Sequence, residues 1–143
     1  MGSAMNLYRF TFDSSIDHCS DLRGWVRTIG RIEGYNEKFL SFLELGLQEA
    51  FVNAVHHGNG VNPELPVSIV FSCRQIASGR ELVVQVTDRG KGFDLDKIEK
   101  HIDKRGEDRL NGRGLMIMRH YAEKLNIETS SEGSVLRLHY IPF

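Results

Sequence analysis

The apolar residues of this chain change their spacing in a fixed order, and that order limits the fold more than any single motif does. Tyr8, Phe10 and Phe12 alternate with polar neighbours, the period-2 pattern of a first strand lying at a sheet edge. The period then lengthens. Leu22, Trp25, Val26, Ile29 and Ile32 recur at three- and four-residue steps, one helical stripe that buries Trp25 in the core and that Gly34 ends. A longer helix starts at Asn36 as its N-cap, with Phe39, Leu40, Leu43, Leu47, Ala50, Phe51, Ala54 and Val55 on its apolar side and Gly58 as its stop. Turn formers crowd residues 58–66. Val67, Ile69 and Phe71, then Leu82, Val84 and Val86, alternate as two strands joined by a hairpin at Ser78-Gly79. Leu115, Met118, Ala122 and Leu125 mark a third helix, and strands at 126–130 and 135–141 close the order. This succession predicts an α+β fold, a two-layer α/β sandwich. Its mixed, mostly antiparallel sheet carries the helices on one face and leaves the other to solvent or a partner.

A length of 143 residues suits one domain, here residues 6–143, with residues 1–5 (Met-Gly-Ser-Ala-Met) reading as a cloning remnant. Lys and Arg number 18 against 19 Asp and Glu, a net charge of -1. No basic field exists to hold nucleic acid or an anionic membrane. No apolar run approaches the ~18–20 residues that span a bilayer, so the expected location is cytoplasmic. Cys19 and Cys73 have neither CxxC spacing nor a His/Cys cluster, which reads as two buried, reduced thiols. Residues 94–111 hold eleven charged side chains out of eighteen, the composition of a solvated, mobile connection.

Three constellations carry chemistry. Glu49, Asn53 and His57 are successive i, i+4 neighbours on the long helix, about 6 Å of rise apart, and form one polar ridge beside the apolar stripe. A carboxylate accepts a proton, and an amide oxygen binds a hard cation such as magnesium. Asn53 is a poor helix former set between Val52 and Ala54, which an ordinary solvated helix side does not need. The second is Asp88-Arg-Gly90-Lys-Gly92 at a strand end. Its glycines permit positive φ and close backbone approach to a flat ligand, and Asp88 suits an exocyclic amine such as that of adenine. The third, Asn111-Gly112-Arg113-Gly114-Leu115, opens the third helix, where free backbone N–H groups favour phosphate oxygens. Taken singly, the second also reads as a polar turn and the third as a hinge.

In this order, ExxxNxxxHG on a helix, DxGxG at a strand end and GxGL at a helix start resemble the N, G1 and G2 boxes of the GHKL ATPase superfamily, whose nucleotide fold is called the Bergerat fold. The resemblance covers nearly all of residues 7–143. The wording of residues 49–58 and the closing Gly133-Ser134-Val135-Leu136-Arg137-Leu138 are similar to bacterial anti-sigma-factor serine kinases of the stress-response and sporulation type. The resemblance implies ATP and Mg2+ as cofactors, with Asn53 as magnesium ligand and Glu49 orienting or deprotonating the attacking hydroxyl. By the same resemblance Asp88 reads the adenine amino group, and Gly90 and Gly92 shape its pocket. Gly112 and Gly114 let a lid, residues 94–111, fold over the phosphates. His57 takes a helix-end or core hydrogen bond. The lid sequence Asp103-Lys-Arg-Gly-Glu-Asp-Arg-Leu-Asn111 lacks the Thr-rich or Pro-containing stretch often found there, and Arg105, Arg109 and Arg113 are candidates to neutralise phosphate.

The implied activity is phosphorylation of Ser or Thr on a small STAS-type antagonist by a homodimer that also sequesters a sigma factor. Two alternatives stay open: an ATP-binding partner switch without kinase activity, and the catalytic part of a histidine kinase. The latter needs a phosphoacceptor histidine on a two-helix hairpin, which the chain does not show.

Overall fold

A computed structural model describes residues 5–90, 116 and 118–143. The first strand, β1 (Met5–Phe12), leads through a short turn at Ile16–His18 into helix α1 (Cys19–Glu33) and then α2 (Glu37–Asn53). Strands β2 (Val67–Ile76), β3 (Gly79–Asp88), β4 (Lys124–Ser130) and β5 (Gly133–Tyr140) follow. The sheet order is β1-β2-β3-β5-β4, with β1 at an edge as its sequence suggests. All four pairings are antiparallel. Met5, assigned from sequence to a cloning remnant, pairs with Arg74 as the first residue of β1.

Local chemistry sets the helix ends. Gly34 takes φ 75, and its N–H caps α1 on the Arg31 and Gly30 carbonyls, a left-handed stop that a side chain resists. Asn36 opens α2 by accepting from the Lys38 N–H at 2.8 Å. Arg27 bridges the two helices, pairing with Glu37 and, at 2.9 Å, with Glu44.

The inward residues of β2 and β3, among them Ile69, Phe71, Leu82 and Val84, are fully buried against Leu22, Val26, Leu43, Leu47 and Phe51 of the helices. Each such side chain contributes about 1.5–3 kcal/mol of burial. Two sequence expectations fail here. Trp25 is 50% exposed, because Leu22, Val26 and Ile29 already fill the narrow stripe facing the sheet. Its ring lies on the flank, stacked on Phe10 with centroids 6.1 Å apart. Leu125 is not helical: residues 118–121 are, and β4 begins at Lys124, so Leu125 pairs with Leu138 and packs from a strand. Met118 of that stripe is fully buried.

The outer face of the sheet carries Glu81, held by Arg74 at 2.5 Å and His139 at 2.9 Å. Those two partners hold its carboxyl below the usual carboxylate range. Beside it a concavity of about 620 Å³ is lined by Val83, Lys124, Asn126 and Arg137. Both cysteines are free; Cys73 is buried and Cys19 half-buried.

Candidate functional site

Helix α2 runs its last two turns beneath the ends of β2 and β3, and there it carries Glu49 and Asn53, one turn apart. Two members of the polar ridge are buried: Glu49 is 4% exposed and Asn53 0%. Both polar atoms of the Asn53 amide lie buried with no hydrogen-bond partner among the described residues. Leaving such a group unmatched costs about 1–3 kcal/mol, and native proteins rarely keep one without a ligand or a chemical use for it. The carboxamide oxygen is a hard donor of the kind magnesium takes. No group of three or more His, Cys, Asp or Glu among the described residues could hold a metal. A cation here would therefore depend on few protein oxygens and on those of its substrate, the usual situation of nucleotide-bound magnesium. The residues present fit that ion.

Beyond Asn53 the helix widens into a π turn at Ala54–Gly58 and stops at Gly58 as expected, closed by the Asn59 N–H on the Ala54 carbonyl at 2.8 Å. Such turns concentrate at functional sites. His57, inside this turn, is exposed. Partial desolvation and the neighbouring His56 lower its imidazole pKa. Gly58 has a second role besides ending the helix. A Cβ there would stand 2.9 Å from the Asp88 Cβ and closer still to its carboxylate, so only glycine lets the helix end lie against Asp88.

Asp88, the last residue of β3, is 2% exposed. Its Oδ1 accepts from the Gly90 N–H at 3.1 Å and the Ser134 N–H at 3.2 Å. Burial pushes its carboxyl pKa up, and these two N–H groups pull it partly back. Gly90 does not use positive φ. It is glycine because a Cβ would collide with the Gly58 carbonyl and stand 2.8 Å from the Asn59 Cα, so its close approach is to protein backbone.

The structure thus brings Glu49, Asn53, Asp88 and Gly90 to one end of the sheet. Gly92, Gly112 and Gly114, the lid at 94–111 and the candidates Arg105, Arg109 and Arg113 lie outside the described residues. Sequence reading missed three supports. Gly133 and Ser134 close on the Asp88 backbone and carboxylate from the β4–β5 turn; the Gly-Ser pair opening the last strand was their signal. Asn59, 4% exposed, ties the helix end to the strand end, and sequence offers only one more turn former in a loop full of them.

The chain resembles known proteins throughout this region. A family model described as the histidine kinase-like ATPase domain matches residues 12–140. No curated protein matches the chain significantly. Among solved structures, the RsbU and RsbW domains of Rv1364c from Mycobacterium tuberculosis align over 96% of this chain and 32% of that one, at 17% identity and a TM-score of 0.66. The histidine kinase domain of the blue-light activated histidine kinase EL346 from Erythrobacter litoralis aligns over 85% and 59%, at 18% identity and a TM-score of 0.52. This chain spans 32% and 59% of the lengths of those two. At such identities the likeness shows a shared fold, the two-layer GHKL arrangement expected from the three boxes. With the family model covering nearly the whole chain, the protein belongs to the histidine kinase-like ATPase domain family.

Proposed function

We propose that this domain is a cytoplasmic, MgATP-dependent protein serine/threonine kinase of the anti-sigma-factor kind. The observation that carries the reading is the buried, unmatched Asn53 amide, one turn from the buried Glu49 on a helix whose end packs on Asp88. Asp88 accepts a hydrogen bond from the adenine amino group, held in place by the Gly90 and Ser134 N–H groups. Gly90 and Gly92 shape the adenine pocket, and Gly112 and Gly114 admit the lid to the phosphates. Asn53 would hold the metal through its amide oxygen. Magnesium, when bound, neutralises phosphate oxygens. Glu49 takes the proton of the acceptor hydroxyl, the chain's own contribution to the chemical step.

The acceptor is a Ser or Thr on a small STAS-type antagonist, and the competing partner is a sigma factor held by a homodimer. The motif resemblance and the RsbW-domain fold neighbour support that choice. Incubation of the protein with radiolabelled MgATP and a STAS-type antagonist should give an acid-stable phosphoprotein. Glu49→Gln should slow transfer by about 10²–10⁴-fold with nucleotide affinity kept within a few-fold. Label lost in acid would replace this reading with a histidine kinase. Nucleotide-dependent capture of the partner without label would replace it with a binding switch.

A further inference from the structure

Asn59 belongs to none of the three motifs that suggested a nucleotide site, yet its side chain joins four segments of the chain. Its Nδ2 donates to the Ser14 Oγ at 2.8 Å, in the link after β1, and to the Leu65 and Pro66 carbonyls at 3.2 and 3.1 Å, ahead of β2. Ser14 completes the knot by donating to the Leu65 carbonyl at 2.6 Å. The opposite end of the amide faces the site. Its Oδ1 accepts the Arg89 N–H at 2.8 Å.

That last bond falls where the sheet has run out of partners. The β2–β3 ladder ends at Ser68 opposite Thr87, and the β3–β5 ladder ends at Ser134 opposite Asp88. Arg89 is the first residue past β3 and has no ladder partner, and Asp88 precedes it directly. A backbone N–H at that point needs an acceptor, and Asn59 supplies one from the helix that carries Asn53 six residues earlier. The π turn makes this possible, because the Asn59 N–H closes it on the Ala54 carbonyl and the wider turn carries the side chain across to the strand.

We propose that Asn59 is a positioning residue that fixes the distance between the two halves of the nucleotide pocket, the adenine end at Asp88 and the phosphate end at Asn53. The proposal rests on the nucleotide reading above and adds a residue to it. A nucleotide engages both ends at once, so it gains from halves that are already held in register. Asn59 touches neither half of the nucleotide. It acts through the peptide after Asp88, and its loss should blur how well Asp88 distinguishes an adenine amine from its absence.

The test compares binding of MgATP with binding of the magnesium salt of purine riboside triphosphate, which lacks only the amino group, by titration calorimetry on the full chain. The wild type should favour ATP by at least ~10-fold, the size of a hydrogen bond to a charged group. Asn59→Ala should reduce that preference at least ~5-fold, with binding of magnesium tripolyphosphate unchanged. A merely structural role would weaken both nucleotides alike and leave their ratio intact; that result, or a folded Asn59→Ala with the wild-type ratio, overturns the proposal. If Asn59→Ala does not fold, hydrogen exchange of the Arg89 amide in the wild type decides. It should slow at least ~5-fold more with ATP than with the analogue, and equal slowing overturns the proposal. A wild type that binds no ATP, or binds both nucleotides equally, fails the nucleotide reading itself. A wild type that discriminates beside an Asn59→Ala that does so equally fails only the role of Asn59.

Discussion

At the end of the sheet where β2 turns into β3, Glu33 accepts from the Tyr8 hydroxyl at 2.6 Å and from the Asn6 amide at 2.9 Å. Arg80 there donates to the Glu33 and Gly34 carbonyls at the end of α1 and lies over the Tyr35 ring. At the opposite end, past Asp88, the polar groups are more deeply buried and less completely matched. Asn53 keeps a whole amide without a partner among the described residues, and Asp88 carries a carboxyl that burial penalises. Glycines at 58 and 90 remove the side chains that would otherwise fill the space between helix and strand. The first end is arranged to hold the molecule together. The second gives up stability for groups without partners among the described residues, the usual mark of a binding site.

Substitutions at the two ends should therefore separate binding from stability. The largest effect falls at Asp88. Asp88→Asn keeps an oxygen for the Gly90 and Ser134 N–H groups but loses the charge, and ATP affinity should fall about 10–100-fold. Stability should move the other way. Because burial raises the folded carboxyl's pKa, the native state is penalised at neutral pH and relieved as pH falls through that raised value. Asp88→Asn should match or exceed the wild type by up to about 1 kcal/mol at pH 7, with the gap closing in acid, as read by denaturant unfolding across pH.

Tyr8→Phe, at the other end, should cost about 1–2 kcal/mol and leave nucleotide binding untouched. The Glu33 carboxylate holds the Tyr8 hydroxyl pKa up from 10.0 to about 12. The stability from this bond is therefore complete below pH 10 and is lost as pH rises toward 12; thermal unfolding across that window should show the loss in wild type and not in Tyr8→Phe. The smallest effect is a control on unmatched groups as such. The Tyr140 hydroxyl is also buried without a partner among the described residues, but it faces Gly46 of α2 in the core. Tyr140→Phe should be neutral or stabilising by up to about 1 kcal/mol and silent in nucleotide titrations.

Much of this contrast was visible in the residues before any coordinates. Asn36 and Gly34 announced their helix ends because caps are local, and Asn53 stood out because an amide between Val52 and Ala54 makes no sense for a helix alone. Features set by distant contacts did not read. Gly58 follows an apolar run and reads as a stop, while its second role depends on Asp88, thirty residues on. Asn59 looks like any loop asparagine until Ser14, Pro66 and Arg89 arrive around it. Leu125 sits seven residues from Met118, a helical interval, yet the backbone has already become a strand at Lys124. Periodicity over so few residues carries no sign of the change.

Titration calorimetry with MgATP, on the wild type and on Asn53→Leu, tests the central claim most directly. The wild type should take up one nucleotide per chain. Asn53→Leu exchanges an unmatched amide for an apolar group of similar size, and it should unfold at the same temperature or higher and give no binding heat. A wild type that gives no heat, or an Asn53→Leu that binds as tightly as the wild type, would contradict it.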